Sequence, residues 1–233
     1  MILSGKGLTG IHSIHLHESK VTCLPDSIGY FSSLVYFYFA VNKLTCLPDS
    51  IGNLTSLTEV DVMYNQLTHL PDSICNITSL RKCSADNNQL SCLPDSIGNL
   101  TSLTELSACC NRLTQLPDSI GNLVALTLLS VRRNNLTSLP GSIGNLKCLG
   151  RLEVSTNQLI RLPDSIGNLQ SLVYLAVNNN QLTYLPDSIF EMRSLNQLNI
   201  YDNPIVSTQS DINEIRRKFL KPHFCLYIVS PFK

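Results

Sequence analysis

Apolar and polar positions alternate in a pattern that returns every 23 residues. In the unit that starts at Leu57, the apolar side chains of Val60 and Val62 alternate with Glu59 and Asp61. Alternation over a few residues places successive side chains on opposite faces of a strand. Each unit is therefore predicted to begin with a short strand that has one buried face and one exposed face.

A proline marks the second half of each unit. After Leu67 and Leu70, Pro71 is followed by polar residues and then by Ile74 and Ile77. Proline suits the first position of a helix because its φ is preset and its missing N–H has no helical partner there. The spacing predicts a short helical turn that directs both isoleucines back into the core.

Two columns of identical residues keep the same step of 23 along most of the chain. The prolines are Pro25, Pro48, Pro71, Pro94, Pro117, Pro140, Pro163 and Pro186. The asparagines are Asn42, Asn65, Asn88, Asn111, Asn134, Asn157, Asn180 and Asn203. Self-similarity at a fixed period of this length indicates a solenoid of stacked units.

A single unit has too few apolar side chains to offset the conformational entropy of its own residues. Units must therefore stack, so that each covers the apolar edge of the next and the strands form one parallel sheet. Backbone groups lose their ladder partners where each strand ends. We expect the asparagines to form a structural ladder there, because an amide side chain both donates and accepts hydrogen bonds.

The pattern L-x-x-L-x-L-x-x-N-x-L-x-x-L-P-x-x-I-x-x-L covers about residues 8 to 205 and resembles the leucine-rich-repeat family in its 23-residue form. Its LPDSIGNL version is similar to plant intracellular Ras-group repeat proteins, Ras-pathway scaffolds and repeat proteins of intracellular bacterial pathogens. The resemblance implies an α/β fold, a right-handed horseshoe with a parallel concave sheet and short helical turns on the convex side. We count nine strands, from residues 11–16 to residues 195–200.

The end of the chain departs from the repeat. We assign residues 1–206 to the solenoid and residues 207–233 to a C-terminal cap of the same domain. Ser210 is predicted to be the N-cap of a helix. The apolar face of this helix consists of Ile212, Ile215, Phe219 and Leu220. Residues 225–229 form an apolar segment that predicts a final strand.

The exposed strand positions differ from unit to unit, whereas the core positions hardly change. Nine strands spaced about 4.8 Å apart give a concave face about 40 Å long, enough for an interface of about 800 Å² per partner. We predict that this face binds a protein. The partner-binding residues are Tyr36, Tyr38, Glu59, Asp61, Tyr64, Lys82, Asp86, Glu105, Arg132, Arg133, Arg151, Glu153, Tyr174, Asn178 and Tyr201.

Side-chain chemistry is grouped along this face, with tyrosines first, carboxylates next and arginines last. Tyrosine and arginine are favoured interface anchors, and mixed charge suits a shaped protein partner. Charge reversal at Arg132 and Arg133 is expected to weaken partner capture without lowering stability. The alternative is that these arginines form a solvated pair balanced by Glu153.

Composition excludes several other classes of protein. Lys plus Arg and Asp plus Glu both number 17, which argues against nucleic-acid binding because phosphates need excess basic charge. No apolar run approaches roughly 20 residues, so membrane insertion is not expected. The N-terminus lacks signal-peptide order, and the nine cysteines lack disulfide-module spacing. We expect a cytoplasmic monomer, or a protein secreted into a host cell without a classical signal peptide.

Three groups of side chains are candidate chemical sites. His15 and His17 point the same way beside Glu18, but the facing positions hold no third metal ligand, and the alternative is a polar edge strand. Cys109 and Cys110 are adjacent, but no histidine base lies beside them. A disulfide is conceivable between Cys23 and Cys46, which share a column with Cys92, and free thiols are the alternative.

We therefore predict a non-enzymatic recognition module with no cofactor and no metal. A bacterial effector that acts in a host cell would fit this description. Two alternatives stay open: the substrate-recruiting part of a larger enzyme, and a small-ligand or metal binder at the N-terminal histidines.

Overall fold

The computed structural model describes residues 10–219 and 224–228. In this part of the chain, ten parallel strands form one sheet in chain order. Each of the first eight strands pairs with residues 23 positions further on, as Ser13 does with Tyr36. The strands are β1 (Ser13–His15), β2 (Tyr36–Tyr38), β3 (Glu59–Asp61), β4 (Lys82–Ser84), β5 (Glu105–Ser107), β6 (Leu128–Ser130), β7 (Arg151–Glu153), β8 (Tyr174–Ala176), β9 (Gln197–Asn199) and β10 (Cys225–Tyr227).

Short 3-10 helices lie on the opposite side of the core and connect the strands of successive repeats. Most of them begin directly after the repeat proline, whose extended backbone occupies the N-cap position. Their bounds are Asp26–Tyr30, Asp49–Asn53, Asp72–Asn76, Ile97–Asn99, Asp118–Asn122, Gly141–Asn145, Asp164–Asn168, Asp187–Glu191 and Pro204–Val206. The predicted helical turns are thus present, and the α/β solenoid fold is confirmed.

The core is one continuous layer between the sheet and the 3-10 helices. The repeated leucine and isoleucine columns fill it, and most of their members have no exposed surface. In the second coil, Phe37 and Phe39 stack with ring centroids 4.2 Å apart. Cys83 and Ala85 occupy core positions that other coils fill with larger residues, and both are buried.

The strands are shorter than predicted. The first repeat strand spans Ser13–His15 rather than residues 11–16, and the ninth spans Gln197–Asn199 rather than residues 195–200. At the start of β2, the N–H groups of Val35 and Tyr36 both donate to the carbonyl of His12. Because this shared acceptor interrupts the regular alternation, only three residues of each coil pair as a strand.

The solenoid ends in a cap formed by helix α1 (Gln209–Lys218) and β10. Ile215 and Phe219 are buried, and the Phe219 ring stacks 4.2 Å from Phe224. β10 pairs with β9 and adds a tenth strand to the nine predicted from the repeats. Leu220 and Val229 lie outside the described residues, and the boundary between residues 206 and 207 stays a prediction. No helix in the described part combines the length and apolarity needed to cross a membrane.

The predicted N-cap of this helix is wrong. Ser210 lies within α1, and the N-cap is Thr208, whose hydroxyl accepts a hydrogen bond from the Asp211 N–H. The Asp211 carboxylate accepts in return from the Thr208 N–H, and hydrogen bonding of this carboxylate by the side chain and backbone of Thr208 holds the pKa of Asp211 below its usual value. This reciprocal capping box satisfies two N–H groups at once. Ser210 could not form the same pair, because the residue three positions after it is not acidic.

A glycine column sets the distance between coils on the 3-10 side. A Cβ added to Gly52 would lie 2.4 Å from the carbonyl oxygen of Ser73 in the next coil. One coil later, Cys75 occupies the position equivalent to Gly52. The next coil contains the 3-10 helix Ile97–Asn99, which has three residues rather than five. Neighbouring helices therefore approach closely only where the first of them carries glycine.

Candidate functional site

The concave face is formed by the first and third residues of each strand. In β2, Tyr36 is exposed and Tyr38 is half-buried, whereas Phe37 between them has no exposed surface. A third set of variable positions lies two residues after the end of each strand, and its members are exposed to different extents. In that set Asn178 is buried, Asp86 is half-buried and Arg132 is exposed.

A left-handed turn follows each repeat strand. The residue before each ladder asparagine has a φ between 52° and 56°, and Val41 and Thr156 are β-branched residues in this position. Such a backbone is costly for any residue except glycine. The sequence analysis missed this turn because no glycine marks it.

The ladder asparagines hold these turns. The Asn65 Nδ2 donates to the carbonyl of Val62 in its own turn at 3.1 Å, and to Phe39 in the preceding coil at 2.8 Å. Its Oδ1 accepts from the N–H of Leu44 at 2.9 Å. Buried hydrogen bonds across two coils therefore fix both the turn and the spacing of the coils.

Aromatic and acidic side chains meet at the N-terminal end of the concave face. The Tyr38 hydroxyl donates to Glu59 Oε2 at 2.5 Å, and the Tyr38 ring packs 4.7 Å from the ring of His15. The hydrogen bond to the Glu59 carboxylate, followed by burial, raises the pKa of Tyr38 to about 12. The tyrosines and carboxylates predicted in this region are thus in contact with one another.

A chain of hydrogen bonds crosses the middle of the face and involves Cys109. Ser107 donates to Asp86 at 2.6 Å, and Ser130 donates to Glu153 at 2.9 Å. Because Ser130 gives its only proton to the carboxylate, the Cys109 thiol must donate across the 3.0 Å to the Ser130 Oγ. Burial also raises the pKa of Cys109. The thiol is therefore held protonated, which opposes a nucleophilic role.

Arginines surround one buried carboxylate further along. Glu153 Oε1 lies 2.5 Å from Arg151 Nη2, and Glu153 Oε2 lies 3.7 Å from Arg132 Nε. The Arg151 guanidinium also lies 4.1 Å from the centre of the Tyr174 ring. Arg133 forms no ion pair with any carboxylate of residues 10–219 and 224–228. Two guanidinium groups, those of Arg132 and Arg151, thus share one carboxylate.

A depression of about 300 Å³ opens beside these arginines on the concave face. The small residue Ala176 lines it, and Ala176 pairs with Glu153 and Asn199 of the neighbouring strands. Its lining residues are Arg132, Arg133, Glu153, Ser155, Thr156, Tyr174, Ala176, Asn178, Asn199 and Tyr201. Six of the fifteen predicted partner-binding residues line this depression. Seven others lie at the tyrosine and acidic end, namely Tyr36, Tyr38, Glu59, Asp61, Tyr64, Lys82 and Asp86, and Glu105 and Arg151 lie between the two regions.

The structure changes the expectation that both arginines can be reversed without loss of stability. Replacing Arg132 with Glu would set a second carboxylate against Glu153, whose side chain is only 11% exposed. We expect Arg132→Glu to lower the free energy of unfolding by about 1–2 kcal/mol. Arg133→Glu should change it by less than about 0.5 kcal/mol, because Arg133 is exposed. Urea unfolding of both variants checks this prediction. An equal loss of stability in the two variants would contradict the pairing of Arg132 with Glu153.

The N-terminal histidines do not converge with other metal ligands. His17 Nε2 lies 3.5 Å from Glu18 Oε1, with both side chains largely exposed, and His15 packs on Tyr38. Among the described residues, no group of three His, Cys, Asp or Glu side chains is arranged to hold a metal ion.

The cysteines divide into exposed and buried thiols. Cys23, Cys46, Cys92 and Cys148 are exposed, whereas Cys75 and Cys83 are buried. Burial raises the pKa of Cys83 to about 12, which lowers its thiolate fraction about a thousandfold. We expect iodoacetamide to alkylate Cys23, Cys46, Cys92 and Cys148 in the native protein and to spare Cys83 until the protein unfolds. Mass spectrometry with and without urea checks this, and native alkylation of Cys83 would contradict its burial.

Comparison with known proteins fits this architecture. The Leptospira interrogans LRR protein LIC12759 is 33% identical with a TM-score of 0.78, over 84% of this chain and 50% of its own. The plant peptide hormone receptor RGFR1, solved in complex with RGF2, is 32% identical with a TM-score of 0.76, over 82% and 32%. YopM, a leucine-rich effector protein from Yersinia pestis, is 27% identical with a TM-score of 0.68, over 82% and 49%.

This chain thus spans half of the Leptospira protein and about a third of the receptor. No curated protein sequence matches it. The family model described as "Leucine-rich repeat region" matches residues 14–117 and 108–217. Together these matches extend over most of the chain, which therefore belongs to the leucine-rich-repeat family.

Proposed function

We propose that this chain is a non-enzymatic recognition module that binds a protein partner on its concave face. The observation that carries the proposal is the division of the repeat positions. Core and ladder residues recur almost unchanged, whereas the exposed residues of nine repeat strands vary and share one surface. An extended surface of this kind is what solenoids use for binding.

The rigidity of the face supports this role. The Tyr38 hydroxyl, Asp86 and Glu153 are all held by neighbouring side chains. Side chains that are already ordered lose less entropy when a partner binds. The surface is therefore preorganised for one shape rather than adaptable to many.

Site-specific photo-crosslinking tests the proposal. A photoreactive phenylalanine analogue is placed at Tyr64, which is 55% exposed beside the concave face, or at Val124, which is 57% exposed after a 3-10 helix. We expect a covalent adduct with one protein, from lysate of the source organism or of a host cell, at the first position, and none at the second. An adduct formed equally at both positions, or at Val124 alone, would refute concave-face recognition.

The similarity to YopM, named as an effector, favours action inside a host cell as the setting of this role. Host-cell lysate should then yield the Tyr64 adduct when lysate of the source organism does not. The adduct in the source organism alone would refute the host setting but keep the recognition role.

A substrate-recruiting role within a longer enzyme is the second candidate. It is favoured by one observation, namely that the chain spans only half of the Leptospira protein and less of the receptor. Immunodetection of the native protein decides this, since a product well above 25.8 kDa would favour it.

A further inference from the structure

We propose that the depression beside Arg132 and Arg133 is a subsite for an acidic side chain, Asp or Glu, of an extended segment of the protein partner. This inference rests on the proposed function and specifies its chemistry. It fixes which end of the concave face receives the negative charge of the partner.

The charge balance of the depression favours an anion. Among the lining residues, Arg132 and Arg133 carry two positive charges and Glu153 carries the one negative charge. The same Glu153 is also paired with Arg151, which lies beside the depression. The Arg132 contact is long at 3.7 Å, and half of the Arg132 side chain is exposed. An incoming carboxylate can therefore contact Arg132 and Arg133 without displacing the shorter pair between Glu153 and Arg151.

A carboxylate is the occupant that Arg132 and Arg133 favour, because the neighbouring Arg151 guanidinium already binds the Glu153 carboxylate. Glu153 accepts from Ser130 and Arg151 at 2.9 and 2.5 Å, in the geometry of charge-assisted hydrogen bonds. A volume of about 300 Å³ accommodates one or two side chains but not a folded element. The depression is open to the concave face, so a chain can lie along the sheet and insert one side chain.

The other end of the face has the opposite charge. Glu59 and Asp61 lie there, about three to four coils away, which is roughly 15–20 Å at the spacing of strands. A partner segment with acidic residues at the arginine end meets repulsion if it binds in the reverse direction. The face therefore selects the orientation of the segment as well as its charge.

Selection from a random library of 12-residue peptides displayed on phage tests the inference. We expect the wild-type chain to enrich peptides that contain Asp or Glu. A selected peptide should bind the Arg133→Glu variant about tenfold more weakly, because like charges then face each other. Its Glu-to-Gln counterpart should lose binding to the wild-type chain to the same extent.

Matched variants separate position from net charge. Arg161→Glu changes the net charge equally, but Arg161 is exposed in the loop before Pro163, away from the concave face. The affinity of the Arg161→Glu variant for the selected peptide should stay within about twofold of the wild-type value, since salt screens charges that lie far from the binding site. Arg133→Glu is a clean substitution, because Glu18 occupies the same left-handed position in the first coil.

The outcomes distinguish the two proposals. Selected peptides without acidic residues, sensitive to Tyr36→Ala but not to Arg133→Glu, would overturn the acidic subsite and leave concave-face recognition intact. Selected peptides insensitive to both variants would overturn both. A phosphoserine peptide that binds about tenfold more tightly than its glutamate counterpart would overturn the carboxylate assignment, and failure to enrich any acidic peptide would overturn the inference.

Discussion

Replacing Asn111 with Ala should lower the free energy of unfolding by about 3 kcal/mol. The side chain is buried, and its Oδ1 accepts from the Leu90 N–H at 2.9 Å. Its Nδ2 donates to the carbonyls of Ala85, Ala108 and Cys109. Each of these carbonyls keeps a second donor, whereas the buried Leu90 N–H keeps none within the described chain. The cost is therefore dominated by one unsatisfied N–H, and urea unfolding measures it.

Asn145→Ala is the matched control for this substitution. Asn145 is exposed at the end of the 3-10 helix Gly141–Asn145. Its loss should change the free energy of unfolding by less than about 0.5 kcal/mol. If Asn111→Ala unfolds at the same urea concentration as this control, the asparagines do not stabilise the solenoid.

The period of the sequence predicted the fold because stacking leaves few alternatives. A unit of 23 residues with an alternating segment, an asparagine and a proline can cover its apolar edge only with another unit. The parallel sheet, the helical turns on the opposite side and the continuous core could all be predicted from that single constraint. The strand lengths did not, because the shared acceptor at His12 depends on the exact path of the backbone.

The candidate site was predicted less completely, because pair contacts depend on distances between coils. The sequence places Arg132 and Arg133 side by side, but only Arg132 contacts Glu153. The difference arises because Arg133 stands in the left-handed turn with a φ of 53°, which directs it away from the strand column. No glycine in the sequence indicates that turn. The partner-binding assignment of the fifteen residues stays a prediction.

Replacing Gly121 with Ala should also destabilise the protein strongly, by about 1–3 kcal/mol. An added Cβ would lie 2.4 Å from the carbonyl oxygen and 2.7 Å from the Cβ of Ser142 in the next coil. The last repeat supports this reason, since Phe190 occupies the glycine position where no further repeat follows, and its ring lies 4.8 Å from the cap residue Phe219. The large Phe190 side chain is thus accepted where the cap, and not another repeat, covers the coil.

Gly141→Ala is the control that isolates this clash. A Cβ at Gly141 meets no atom within 4 Å, and most other repeats carry Asp at the same position. This variant should unfold like the parent or be more stable by a few tenths of a kcal/mol, since alanine restricts the unfolded chain. If Gly121→Ala and Gly141→Ala unfold alike, the glycine column does not limit the approach of the coils. A lower urea midpoint for Gly121→Ala alone shows that the close contact with Ser142 of the next coil requires glycine at this position.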